Sequence, residues 1–290
     1  MFQPNLLAGK RILVTGGGSG LGLAMASRYA ELGADLVLCG RRKEVLDTAV
    51  GGIKAKTPGR TVQALSCDIR DPAQVEAMIA EIWNSGPPLS GLVNNAAGNF
   101  VARSEELSPR AVDAVLGIVL HGTAYVTLAC GKRWVAAAGP AQPVFPQQAT
   151  VLSIVTTYAW TGSAYVLPSA MAKAGVLAMT RSLAVEWGGK GVRLNAIAPG
   201  PFPTPGAWER LVPNPEVGRI MEKKNPLGRT GQHQELANLA TYLMADGSAY
   251  INGDVVTIDG GEWLKGAGEF NFLEMLTDAE WREMRERGRK

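Results

Sequence analysis

A chain of 290 residues, 46% hydrophobic and 19% charged, is long enough to bury a sizeable core in one or two domains. A formal net charge of +3 carries no nucleic-acid signature, although it suits a phosphate-bearing ligand. No run approaches the length of a bilayer span, and neither the first ten residues nor the last carry a targeting pattern, so a cytoplasmic protein is expected.

Short apolar runs alternate with longer helical patterns along the whole chain. The strand candidates are Arg11–Thr15, Asp35–Cys39, Thr61–Ser66, Gly91–Asn94, Thr150–Thr156, Arg193–Ala198 and Val255–Ile258. Helices are expected at Gly20–Leu32, Lys43–Lys56, Pro72–Asn84, Arg110–Ala138, Ser163–Trp187 and Gln234–Met244. Strands this short and uniformly apolar are buried on both faces. Regular alternation of strand and helix then predicts an α/β fold, a Rossmann-like doubly wound sheet of seven parallel strands in a single domain. That domain spans residues 1–261, and residues 262–290 form an extension packing on it or on a neighbouring subunit. Cys39, Cys67 and Cys130 are odd in number, widely spaced and set among apolar residues, and read as reduced core thiols without a metal site.

The first strand runs into Thr15-Gly-Gly-Gly-Ser-Gly-Leu-Gly22, and the first helix opens out of it. Glycines let the backbone approach a ligand, and a helix N-terminus offers free N–H groups to a phosphate. Thr15, Gly16, Gly18, Ser19, Gly20, Leu21 and Gly22 are therefore a candidate dinucleotide cradle, or else a tight turn without a ligand. After the second strand stand Arg41 and Arg42, where an NAD-binding chain would carry an acid for the ribose hydroxyls. A guanidinium fork suits a 2′-phosphate, which points to NADP(H); solvated residues at a helix start are the alternative. Asp68, after the third strand, is placed to accept from an adenine amino group or to cap the next helix, where Asp71 is the better cap.

Two proline-rich segments interrupt the alternation. Residues 139–146 read as a surface loop, and Pro199 to Pro215, with Trp208 and Arg210 near its middle, follows a strand's carboxyl end, where open parallel sheets bind ligands. In the tail, Thr277-Asp-Ala-Glu280 has the pattern of a capping box, with Trp281 and Met284 three apart behind it. A peripheral packing helix is expected there, or a subunit contact.

Thr15-Gly-x-x-x-Gly-x-Gly22, Cys67-Asp68, Asn94-Asn-Ala-Ala-Gly98, Lys173-Ala-Gly175 and Pro199-Gly-x-x-x-Thr204 together resemble the short-chain dehydrogenase/reductase family, in that family's order from Lys10 to Gly261. The resemblance implies that Asn95, Ala96, Pro199, Gly200, Pro201, Phe202 and Thr204 also face the cofactor. It implies a homotetramer built partly from the two long helices Arg110–Ala138 and Ser163–Trp187. One departure stands out. Four residues before Lys173, where the family carries its catalytic tyrosine, stands Ser169, and the family's usual serine position falls near Thr156. Where the family has an asparagine in its fourth helix, this chain has His121, read here as a packed polar residue or a proton relay.

The segment from Thr156 through Tyr158 to Lys173, with Asn94-Asn-Ala-Ala-Gly-Asn99-Phe100, Ala184-Val-Glu-Trp187 and Gly266-Ala-Gly-Glu-Phe-Asn271, resembles the 2,4-dienoyl-CoA reductase branch. That resemblance implies NADPH-dependent reduction of a 2,4-dienoyl-CoA to a 3-enoyl-CoA in unsaturated fatty acid β-oxidation. Tyr158 and Asn99 then donate hydrogen bonds to the thioester oxygen of a dienolate-like transition state. Lys173 holds the cofactor ribose, and Ser169 adds a hydrogen bond in the same pocket. Phe100, Ser169 and Arg210 are the substrate contacts, with Arg210 meeting the phosphates of coenzyme A; Arg219, Lys223 and Lys224 are further basic candidates. Water serves as the proton source, since no dedicated acid is evident.

Each residue also has a plainer reading: Tyr158 a core tyrosine with Tyr165 as rival donor, Asn99 a cap, Ser169 a small packing residue. Lys173 in an apolar helical stretch is hard to explain structurally. Two other functions stay open: a short-chain reductase of another acyl-CoA or carbonyl, and a non-catalytic NADP-binding protein.

Overall fold

The computed structural model describes residues 1–138, 149–205, 212 and 214–288. Seven strands make one parallel sheet: β1 (Arg11–Thr15), β2 (Asp35–Gly40), β3 (Val62–Ser66), β4 (Gly91–Asn94), β5 (Ala149–Ile154), β6 (Val192–Pro199) and β7 (Val255–Ile258). Their order in the sheet is β3-β2-β1-β4-β5-β6-β7. The direction of winding reverses between β1 and β4, so a crevice opens at their carboxyl ends.

Alternate side chains of each strand feed two cores. Ile12 and Val14 of β1 join Leu36, Leu38, Val93, Leu152 and Ile197 on one face, covered by α1 (Gly20–Glu31) and α9 (His233–Met244). Leu13 joins Val37, Leu92, Val151 and Leu194 on the other, covered by α3 (Pro72–Asn84), α5 (Thr123–Ala137) and α7 (Leu167–Gly188). A fully buried side chain of this size contributes about 1.5–3 kcal/mol, so two continuous cores outweigh any local propensity. At the amino edge of the sheet, two buried arginines satisfy carbonyls at helix C-termini and in loops. Arg11 donates to Ile82 O at 2.7 Å and Pro87 O at 2.8 Å, and Arg193 to Ile251 O at 2.8 Å and Leu243 O at 3.0 Å. The opposite, carboxyl edge is left for a site.

The sheet and its order bear out the expected fold, and the three cysteines are free and buried. The helices differ in three places. The fourth helical stretch starts at Pro109 with α4 (Pro109–Leu116), widens into a π-helical turn over Gly117–Gly122, and continues as α5. This 29-residue stretch is long and apolar enough to cross a membrane by length and composition alone, contrary to the expectation, yet half of its most apolar window is buried inside the protein. The next helix, expected from Ser163, starts late, and a separate turn that was not expected precedes it. A single turn, α6 (Tyr158–Thr161), ends at Gly162 with φ +70°, and α7 starts only at Leu167 with Pro168 in its first turn. Beyond β6 stands a polar helix that was not in the expected set, α8 (Pro215–Lys224); Asn214 caps it by accepting from Val217 N at 3.0 Å.

After β7 come α10 (Glu262–Ala267) and α11 (Asp278–Arg287). The capping box of Thr277 and Glu280 forms as expected. Every residue of α11 is exposed in the single chain, Trp281 and Met284 included, so of the two expected packings the one on its own domain is not seen. A helix this polar has too narrow an apolar stripe to bind the domain by itself.

α5 and α7 approach closely over Gly131, where a Cβ would lie 2.2 Å from the Trp187 ring. Gly131→Ala therefore overpacks the contact that seats α7. It is expected to cost about 1–3 kcal/mol, read as a lower Tm in thermal unfolding followed by circular dichroism.

Candidate active site

The glycine turn is closed from three sides. Gly16 and Gly20 have φ of +66° and +54°, a region that side chains other than glycine rarely adopt. A Cβ on Gly22 would lie 2.3 Å from Gly16 O, and one on Gly18 would press on Val45 and Leu46. Thr15 Oγ1 donates to Val93 O at 3.2 Å and accepts from Asn95 N at 3.0 Å and Ala96 N at 3.1 Å. Asn95 Nδ2 returns to Thr15 O at 3.1 Å and Gly16 O at 3.3 Å. Thus Thr15, Asn95 and Ala96 lock β1 to β4 beneath the turn rather than projecting into it. At the start of α1, Ser19 makes no side-chain cap and the first turn holds no acid, so the N–H groups of Gly20 to Gly22 stay open to an anion. Thr204 packs over Gly20, bringing the segment Pro199–Thr204 alongside. Within it Gly200 lies against Asp259, Pro201 O accepts from Gly231 N at 2.9 Å, and the Phe202 ring lies against Gly231. A bare-backbone cradle with free N–H groups fits a dinucleotide pyrophosphate.

Beyond β2, Arg41 is exposed and Arg42 is the N-cap of α2 (Lys43–Lys56); neither side chain makes a hydrogen bond or ion pair among the described residues, although the charge of Arg41 also favours ionised Asp68. Asp68 is less free than expected. Arg70 donates to its carboxylate from Nε at 2.9 Å and from a terminal nitrogen at 2.5 Å, and this bond holds the Asp68 carboxyl below its usual range. An adenine contact by the Asp68 carboxylate competes with Arg70. The cap of α3 is Asp71, which accepts from Ala73 N at 2.9 Å.

The centre of the site lies where β5 ends. Lys173 is buried, 7% exposed, and its ammonium donates to Ile154 O at 2.5 Å, its one hydrogen bond among the described residues. Burial brings its pKa down to about 8. One helical turn earlier, Ser169 is 2% exposed, and its hydroxyl lies 3.0 Å from the Tyr158 hydroxyl. Tyr158 is the first residue of α6, four residues past the end of β5 rather than on it. The hydroxyl of Thr156 is buried with no partner, an orphan beside Tyr158 that sequence reasoning met only as a displaced serine position. An ammonium with one partner and an unpartnered hydroxyl fit the ribose hydroxyls and carboxamide of a nicotinamide nucleotide.

Asn99 accepts from Phe100 N at 2.9 Å, which leaves its carboxamide N–H group as a free donor. Phe100 packs with Val115, Val119 and Ala172, beside Lys173. The same loop is tied across the site by Ala102 N donating to Tyr165 O at 3.0 Å. Tyr165 has φ +66° and a side chain 59% exposed. The reading of His121 as a packed residue fails: it is exposed, its ring 6.2 Å from Tyr125. The π-helical turn rotates it outward, and the residue of that turn facing Ala172 is Val119. Arg210, Trp208 and the loop 139–146 fall outside the described residues. Arg219, Lys223 and Lys224 stand on α8.

A family model described as enoyl-(acyl carrier protein) reductase matches residues 16–262. The chain is 42% identical over 256 residues to a probable 2,4-dienoyl-CoA reductase of the (2E)-enoyl-CoA-producing kind from Bacillus subtilis, covering 88% of this chain and 97% of the relative. It is 41% identical over 268 residues to a probable 2,4-dienoyl-CoA reductase of the (3E)-enoyl-CoA-producing kind from Caenorhabditis elegans, covering 90% and 83%. A putative 2-deoxy-D-gluconate 3-dehydrogenase from Agrobacterium tumefaciens, solved with bound NADP, superposes with a TM-score of 0.78 at 31% identity, covering 91% of this chain and all of that one. The chain belongs to the short-chain dehydrogenase/reductase family, oxidoreductases with a nicotinamide-dinucleotide site. Within the family, several of its relatives are 2,4-dienoyl-CoA reductases.

The buried ammonium has a consequence for the ligand-free protein. Between about pH 8 and 10.5 the unfolded lysine keeps a proton that the folded one has lost, so stability rises with pH across that window, and below it, where both states are protonated, this contribution is flat. The amplitude is on the order of 3 kcal/mol. Denaturant unfolding across this range is expected to show the slope in the natural protein and a flatter one in Lys173→Met.

Proposed function

We propose that the protein is an NADPH-dependent 2,4-dienoyl-CoA reductase. The observation that carries this is the 3.0 Å contact between Tyr158 and Ser169, one turn ahead of the buried Lys173. It supports a phenol donor that reaches the site from α6 instead of from the helix that carries the lysine.

The cofactor-binding unit is read as residues 1–261. The N–H groups at the start of α1 hold the pyrophosphate, and Arg41 and Arg42 hold the 2′-phosphate. Lys173 and the orphan hydroxyl of Thr156 hold the ribose and nicotinamide. When bound, NADPH supplies a hydride to the far end of the conjugated diene. Negative charge then moves to the thioester oxygen, where Tyr158 O–H and the free N–H of Asn99 donate hydrogen bonds. Ser169 orients the Tyr158 hydroxyl, and the Lys173 ammonium favours its donation electrostatically. Phe100 lines the acyl side and Arg210 meets the coenzyme A phosphates. Water protonates the dienolate at the α carbon, which gives a 3-enoyl-CoA; protonation at the γ carbon gives the 2-enoyl isomer.

Exposed apolar side chains on the two long helices, Leu128 of α5 and Met171 and Val185 of α7, support association of copies through these faces. A homotetramer is expected by light scattering.

Purified protein with NADPH and a 2,4-dienoyl-CoA is expected to consume the cofactor, with a 3-enoyl-CoA as product by chromatography. Cofactor binding without turnover across acyl-CoA and carbonyl substrates would refute the reading. Tyr158→Phe is expected to lower kcat roughly 10²–10³-fold, as for one lost oxyanion donor, and Tyr165→Phe to leave it within a few fold. Arg41→Ala should lower the preference for NADPH over NADH by roughly 10- to 100-fold, the loss of one charge-assisted hydrogen bond, measured as the ratio of kcat/KM values.

A further inference from the structure

The segment after β7 turns back toward Tyr158. Asp259 is buried, and its carboxylate accepts from Gly261 N and Trp263 N, both at 2.9 Å. Its carbonyl accepts from Asn225 Nδ2 at 2.7 Å. Gly260 and Gly261, at φ +65° and +85°, make the reversal, and a Cβ on Gly260 would lie 2.4 Å from Asn225 Oδ1. These contacts fix the direction in which α10 leaves the sheet. The second residue of α10, Trp263, stands edge-on to Trp160, with ring centroids 5.8 Å apart and planes at 85°. Trp160 lies two residues beyond Tyr158.

One helical turn has no stability of its own, and the N-cap of α6, Thr157, makes no side-chain cap. The turn is held by three consecutive side chains pointing three ways. Ala159 enters a core with Val155 and Val176, Tyr158 meets Ser169, and Trp160 meets Trp263. Trp160 is 38% exposed, and Trp263 is its aromatic neighbour, in the edge-to-face geometry that aromatic pairs prefer.

We propose that Trp263 is a positioning residue, whose edge-on contact with Trp160 holds α6 in the orientation that keeps the Tyr158 hydroxyl on Ser169. The C-terminal extension thereby takes part in the reaction without touching substrate. The inference rests on the reading of Tyr158 as the donor. Loss of the clamp lets α6 rock, misaligning the donor for the thioester oxygen while the nucleotide cradle at the other side of the crevice is untouched. The deficit therefore falls on kcat and leaves KM for NADPH as it was.

The test combines steady-state kinetics with amide hydrogen exchange. The variants are Trp263→Ala, Trp263→Phe, Trp160→Ala and the double alanine variant, each in the full-length protein with NADPH and a 2,4-dienoyl-CoA. Trp263→Ala is expected to lower kcat roughly 5- to 50-fold with KM for NADPH unchanged, and Trp263→Phe to recover most of it. The double variant should lose no more than either single one, because both remove the same contact. In Trp263→Ala the amides of residues 159–162 should exchange faster than in the natural protein. A kcat within twofold of the natural protein in Trp263→Ala, or single losses that multiply in the double variant, would overturn the proposal. A natural protein that turns over no dienoyl thioester would sink the functional reading alone. The exchange of residues 159–162 then decides the clamp: unchanged protection in Trp263→Ala overturns it.

Discussion

The buried ammonium of Lys173 is the constraint to which the site is fitted. An unpaired charge inside a protein is expensive, and here it has a single neutral partner among the described residues, the carbonyl of Ile154 at the end of β5. That bond joins the last residue of a central strand to the second turn of α7. It fixes where α7 lies along the sheet, and with it the position of Ser169. The cost of burying the charge shows in its pKa, brought down to about 8. A group kept at such cost is more readily explained by chemistry than by packing.

The fold supplies the rest by polarity. All seven strands run the same way, so their carboxyl ends share one edge. The amino edge is closed by Arg11 and Arg193, each satisfying a carbonyl in the last turn of a helix and a loop carbonyl. At the carboxyl edge, by contrast, open groups accumulate: the uncapped start of α1, the hydroxyl of Thr156 and the side chains of Arg41 and Arg42. Groups left without protein partners and gathered at one edge are the structural form of a binding site.

The glycine cradle, the seven strands and the lysine were legible because each depends on local rules. Glycine is needed wherever φ is positive, and period-two and period-3.6 patterns follow from the geometry of one element. What proved illegible depended on two elements at once. His121 looked like a packed polar residue until a π-helical turn put Val119 against Ala172 instead. Asp68 looked free for adenine, yet Arg70, two residues on, folds back to grip it. The helix expected from Ser163 starts only at Leu167, past Tyr165 at φ +66°, and ahead of it Gly162 at φ +70° closes a separate turn, α6, where no helix was expected. In the tail, the capping box was readable from Thr277 and Glu280, but not that the helix behind it would stand clear of its own domain.

By itself the sequence determined the sheet, the order of motifs along it and the residue types available for chemistry, since each is written in short-range spacing. It also marked the anomaly, a serine standing where a tyrosine is usual. Only the tertiary structure decided which side chains meet. Tyr158 reaches Ser169 across eleven positions of chain. Trp160 meets Trp263 from the far end of the fold. Such contacts depend on how a separate turn is angled against another element, and no periodicity in a single segment encodes that angle.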